Sequence, residues 1–177
     1  AHPYRAAIES LASAGLVGGY VDGTFRPDHP VTRQQFAKMI VKALAYPVAG
    51  SEVCPFSDVA AQEGTDPFYP SKYVAVCANA SITKGTSATT FSPRESITRQ
   101  QLITMVARAA GLSDPPEAYA APFAYQQFSL EEHFLNARKA AYAGLLTGLE
   151  GAGPSYDFLA PASRGECAQL LYALSQL

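Results

Sequence analysis

Charge is scarce in this chain of 177 residues: only 16% are Asp, Glu, Lys or Arg, and the formal net charge is −2. That balance sets up no long-range field to draw in nucleic acid or an anionic membrane, so neither is an expected partner and any recognition of an anion has to be local. No stretch approaches the ~20 consecutive apolar residues of a membrane span, so no membrane insertion is expected. Nor does a basic start lead into the apolar core of a signal peptide, and the opening AHPYRAAIESL reads as a mature or excised fragment. Cysteine is limited to Cys54, Cys77 and Cys167, with no Cys-x-x-Cys, and His2, His29 and His133 are scattered, so no metal site is expected. Cys54 and Cys77 either pair in an exported protein or remain simple buried thiols. Also missing are Gly-x-Ser-x-Gly, His-Glu-x-x-His and a glycine-rich phosphate loop. Glu131 and Glu132 are adjacent, so they cannot flank a cleft as glycosidase carboxylates must. They read as a helix start favoured by the helix dipole. Neither a catalytic residue nor a cofactor is expected.

What the chain does have is 48% apolar residues and an internal repeat. A shift of 66 residues superposes Gly19 on Gly85, Phe25 on Phe91, Pro27 on Pro93 and Arg33 on Arg99. A third, weaker copy carries Gly148, Arg164 and, after two extra residues, Tyr156 in the place of Phe25 and Phe91. The copies divide the chain into 1–50, 51–112 and 113–177, together one compact domain. Each has a first helix with its apolar face at Ile8, Leu11 and Ala12, then Val74, Cys77 and Ala78, then Ala137, Ala140 and Ala141. Glycine near the end of each, Gly19 and Gly85 included, is expected to close the helix. A turn at Asp22-Gly23 follows in the first copy.

The second helix of each copy opens on a capping box, in which a hydroxyl accepts a main-chain N–H three residues on and a Gln or Glu reaches back. The boxes are Thr32 with Gln35, Thr98 with Gln101, and Ser163 with Glu166. Behind them run apolar faces at Phe36, Met39, Ile40 and Ala43, at Leu102, Met105, Val106 and Ala109, and at Cys167, Leu170, Leu171 and Leu174. Met39 and Met105 are expected in the core, with Lys38 and Lys42 on a solvated edge. The cap accounts for Thr and Gln. It does not account for Arg33, Arg99 and Arg164, because a cation in the first helical turn opposes the helix dipole. Three such arginines either serve a ligand or form ion pairs between copies, with Asp58 a candidate partner.

The run AIESLASAGLVGGYVDGTFRPDHPVTRQQFAKMIVKAL closely resembles an S-layer homology (SLH) motif, and PFSDV with FSPRESITRQQ resembles a second one. The resemblance implies an all-α, pseudo-threefold unit of three SLH repeats around a central helical bundle, the third degenerate. It further implies an exported module of the bacterial cell envelope that anchors surface proteins non-covalently to the cell wall. The implied ligand is a secondary cell-wall polysaccharide bearing pyruvate ketals, held in grooves between repeats. The alternatives are peptidoglycan binding, or an assembly module contacting S-layer protein subunits. The implied binding residues are Arg33, Arg99 and Arg164, with Thr32, Thr98, Gln35 and Gln101 of the same motif. Gly19, Gly85, Tyr20, Lys84 and Asp58 are candidates to frame the sugar. Tyr20 reads either as a stacking platform or as an ordinary loop residue. Gln35 and Gln101 stand where the family has Glu, which predicts two pockets more electropositive than is usual for it.

Overall fold

The computed structural model describes residues 2–177 and is mainly helical, with no sheet or barrel among them. Six α-helices follow one another: α1 (Arg5–Ser13), α2 (Arg33–Ala43), α3 (Ser71–Asn79), α4 (Arg99–Ala109), α5 (Glu131–Tyr142) and α6 (Arg164–Leu174). A short 3-10 turn spans Tyr125–Gln127.

The even-numbered helices begin where the capping boxes place them. Thr32 Oγ1 accepts from Gln35 N while Gln35 Oε1 accepts from Thr32 N, and the Thr98–Gln101 and Ser163–Glu166 pairs do the same. Each box satisfies two main-chain donors that a helix start would otherwise leave open. Immediately before the caps, Val31, Ile97 and Ala162 form a closed ring of main-chain bonds. Val31 N donates to Ala162 O, Ala162 N to Ile97 O, and Ile97 N to Val31 O, at 3.2, 2.8 and 2.9 Å. All three side chains are buried. One apolar side chain from each copy thus plugs the centre while the main chain around it stays bonded, as a buried backbone requires.

Helix pairing runs between copies rather than within them. The second helix of each copy packs on the first helix of the next: α2 on α3, α4 on α5, and α6 back on α1. The apolar faces of α2, α4 and α6 account for this. Phe36 and Ile40, Leu102 and Val106, and Cys167 and Leu171 are all buried. Full burial of one such aliphatic or aromatic side chain contributes roughly 1.5–3 kcal/mol, so the interfaces between copies carry much of the core.

Several expectations need correction. The buried face of α1 is Ala7 and Leu11, while Ala12 is exposed. The helix-closing residues with positive φ are Gly15, Ser81 and Gly144, four positions before Gly19, Gly85 and Gly148. Gly19 and Gly85 belong to the loop beyond. Gly85 is required there for another reason: at φ +80° an added Cβ would collide with Thr90 O and the Phe56 ring. The three cysteines are free thiols. Cys77 is buried, which pushes its thiol up to about 12, and Cys167 is buried in the position of Phe36 and Leu102.

Candidate functional site

Because α2, α4 and α6 begin just after the central ring, the arginine that opens each reaches into the loop of the following copy. There each guanidinium lies over the aligned aromatic ring. Arg33 Cζ stands 4.6 Å from the Phe91 centroid, Arg99 Cζ 4.5 Å from that of Tyr156, and Arg164 Cζ 4.5 Å from that of Phe25. Such cation–π contacts, worth about 0.5–2 kcal/mol, offset the unfavourable dipole at the helix start. The loop also offers carbonyls: Arg33 Nε donates to Phe91 O at 2.6 Å, and Arg164 donates to Phe25 O and Gly18 O at 2.8 and 2.7 Å.

Asp58 supports this geometry without touching the arginine. Its two carboxylate oxygens accept from Phe91 N and Ser92 N, each at 2.8 Å, and so fix the carbonyl to which Arg33 donates. No Arg33–Asp58 ion pair forms among the described residues. Phe56, two residues earlier, stacks on Phe91 at 5.6 Å.

Three grooves carry one of the helix-opening arginines, and they differ in charge. The groove of Arg33, about 250 Å³, is lined by Lys84, Gly85, Gln101 and Thr104, with Met105, Arg108, Glu132 and His133. Arg33 is only 3% exposed, and burial pushes its guanidinium down to about 10 in spite of Glu95 and Asp58 nearby. A desolvated cation of this kind is stabilised by any carboxylate that reaches it. Across the mouth, Glu132 bridges Lys84, at 2.6 Å, and Arg108. His133 Nδ1 pairs with Thr104 Oγ1 at 2.7 Å.

The groove of Arg164, about 350 Å³, is lined by Leu16, Gly18, Gln35 and Lys38, with Met39, Lys42 and Tyr69. Lys38 pairs with Asp66 at 2.6 Å, whereas Lys42 and Arg164 have no acidic partner among the described residues. Tyr20 borders this region, its ring 5.0 Å from Arg164 Cζ and 4.3 Å from Arg26 Cζ. The groove of Arg99, about 430 Å³, contains Asp28, Glu150 and Glu166. Here Arg99 Nε donates to Glu166 Oε1 at 2.8 Å, and Tyr156 donates to the same oxygen at 2.7 Å.

The twelve candidate residues therefore separate. Arg33, Lys84, Gly85 and Gln101 share one groove, and Arg164 and Gln35 share another. Thr32 and Thr98 serve their caps and Asp58 its loop. Gly19 sits where a Cβ would meet Thr24 O at 2.9 Å. The polar and charged groove residues absent from the sequence-based set include Lys38, Lys42, Thr104, Arg108, Glu132 and His133. A signal for two of them was present: Lys42 and Arg108 are the same repeat position, both basic. The methionines at Met39 and Met105 line grooves as well as packing against the core.

A family model described as the S-layer homology domain matches residues 1–37 and 55–103, a little under half of the chain, all of it in the first two copies. Relatives in sequence include the middle cell wall protein of Brevibacillus brevis, 31% identical over 105 residues, 59% of this chain and 10% of that protein. The surface layer protein of Brevibacillus choshinensis is 32% identical over 105 residues, 59% of this chain and 9% of that protein. The cellulosome-anchoring protein of Acetivibrio thermocellus is 31% identical over 104 residues, 58% of this chain and 23% of that protein. The chain thus matches a minor part of each relative's length. Residues 1–37 and 55–103 of this chain thus match the S-layer homology domain.

Proposed function

We propose that this chain is a non-catalytic anchoring module of the bacterial cell envelope, holding an acidic, pyruvate-bearing cell-wall polysaccharide in the grooves of Arg33 and Arg164. The observation that carries this reading is the state of those guanidiniums. Each is oriented by a ring and by carbonyls of the following copy, and among the described residues neither forms an ion pair with a carboxylate of its own chain. A guanidinium that is preorganised yet without a direct ionic partner suits an incoming carboxylate, to which it offers charge-assisted hydrogen bonds. Lys84 and Arg108 in one groove, and Lys42 in the other, add positive charge beside it. The relatives' names, a cell wall protein, a surface layer protein and a cellulosome-anchoring protein, favour a place in the envelope. The ring of Val31, Ile97 and Ala162 supports reading 1–50, 51–112 and 113–177 as three repeats about a pseudo-threefold axis. Two weak sites on a repetitive polymer reinforce each other by avidity, often ~10²–10⁴-fold over one site.

The test is retention on protein-free wall preparations before and after mild acid removes pyruvate ketals. Retention is expected to be lost after the treatment. Unchanged retention would point to peptidoglycan instead, and no retention with concentration-dependent oligomers would point to assembly with S-layer subunits.

A further inference from the structure

We infer that His133 is a further binding residue of the Arg33 groove, taking an anion as the imidazolium, so that an acid bound there brings one proton with it. The inference rests on the acidic-ligand reading above and adds a residue outside the arginine motif. His133 is the third residue of α5 and lines the same small groove as Arg33, so a carboxylate that enters meets both. Its ring is fixed at one nitrogen only. Nδ1 pairs with Thr104 Oγ1 at 2.7 Å, whereas Nε2 forms no hydrogen bond among the described residues and is not shut away from solvent. A hydroxyl both donates and accepts, so the Thr104 bond survives either state of the ring. Protonation then leaves the ring in place and makes Nε2 a charged N–H donor, which a carboxylate accepts from strongly.

The groups around the ring explain why it waits for a ligand. Arg108 faces it from α4, Arg33 from α2 and Lys84 from the loop of the second copy, all cations. Glu132 of α5 is the one carboxylate lining the groove, and Lys84 and Arg108 already hold it. The start of α5 also disfavours a positive charge through its dipole. Burial and the Arg108 charge keep the free ring neutral, with Glu132 opposing. A carboxylate placed among these cations reverses the balance and favours the charged ring. By linkage, the same coupling tightens the anion as pH falls through the titration of His133. The device belongs to this groove alone. The alignment that sets Ala137 on Val74 and Ile8 puts Pro70 and Tyr4 where His133 stands, and neither takes up a proton.

The experiment follows the ring signals of His133 by NMR in the whole chain from about pH 8 to about pH 5. It is run with saturating sodium pyruvate and with sodium chloride at equal ionic strength, while arginine Nε–H signals report binding. Pyruvate is expected to raise the proton affinity of His133 about fivefold or more over chloride, and binding read at Arg33 to tighten by the same factor across the titration. His133→Asn keeps an amide for Thr104 but no titratable ring, so its binding at Arg33 should no longer follow pH. A histidine with a structural role alone would alter the pH dependence of unfolding but take up no proton on binding. A response of Arg33 to pyruvate with the His133 titration unmoved from chloride, or an unchanged pH dependence in His133→Asn, would overturn the inference and leave the acidic-ligand reading standing. No response of Arg33 or Arg164 to pyruvate at any pH would overturn both.

Discussion

Within the Arg33 groove, His133 is held by Thr104 and faces Arg108 and Arg33 as well as Glu132. Burial, followed by the Arg108 charge, holds its imidazole below the ordinary value of 6.5, with Glu132 opposing. The neutral ring is therefore the native form. Stability from this site is fully present above pH 6.5 and is lost as pH falls through the depressed folded value, because the unfolded chain binds the proton first. Glu132 is held low mainly by Lys84, so it titrates below this window. Urea unfolding at pH 7.5 and 5.5 should show a lower midpoint at the acid pH, and His133→Asn should flatten that difference. An equal slope in the variant would place the titration elsewhere. The arginines at this scale show why sequence alone identified them yet misassigned their surroundings. A cation at a helix start is visible as an anomaly, but its ring partners Phe91, Tyr156 and Phe25 lie 58, 57 and 139 residues away, and only packing brings them together.

Among the elements, the three capping boxes were legible because they are local: four consecutive residues contain the whole device. The same locality made the apolar faces of α2, α4 and α6 legible. The helix pairing was not, since the pairs α2–α3, α4–α5 and α6–α1 join different copies and leave no mark in either copy's own periodicity. Lys38 illustrates the consequence. On a helical wheel it reads as solvated edge, yet α3 and the loop before it bring Asp66 to within 2.6 Å. The boxes also fix the arginines, for a frayed first turn would release the guanidinium from its ring. Thr98→Ala should cost about 1 kcal/mol in urea unfolding and leave the Arg99–Glu166 pair to hold the helix start. A loss below a few tenths would show that the ring of Ile97, Val31 and Ala162 holds α4 without the cap.

For the whole molecule, the account is one of repetition with deliberate inequality. Three copies share a main-chain ring, and three arginines share a stacking geometry, yet among the described residues only Arg99 of the three is ion-paired to a carboxylate of its own chain. The two Gln for Glu replacements were visible in the sequence. Which arginine each would face was not, because every groove takes its arginine from one copy and its Gln or Glu from the next. The most direct measurement is a calorimetric titration with a purified pyruvate-bearing wall disaccharide and with the same disaccharide after its ketal is removed. The account predicts about two ligands per chain for the first, at an affinity that falls with salt, and no detectable binding of the second. Equal binding of both, or intact binding when Arg33 and Arg164 are both replaced by alanine, would contradict it.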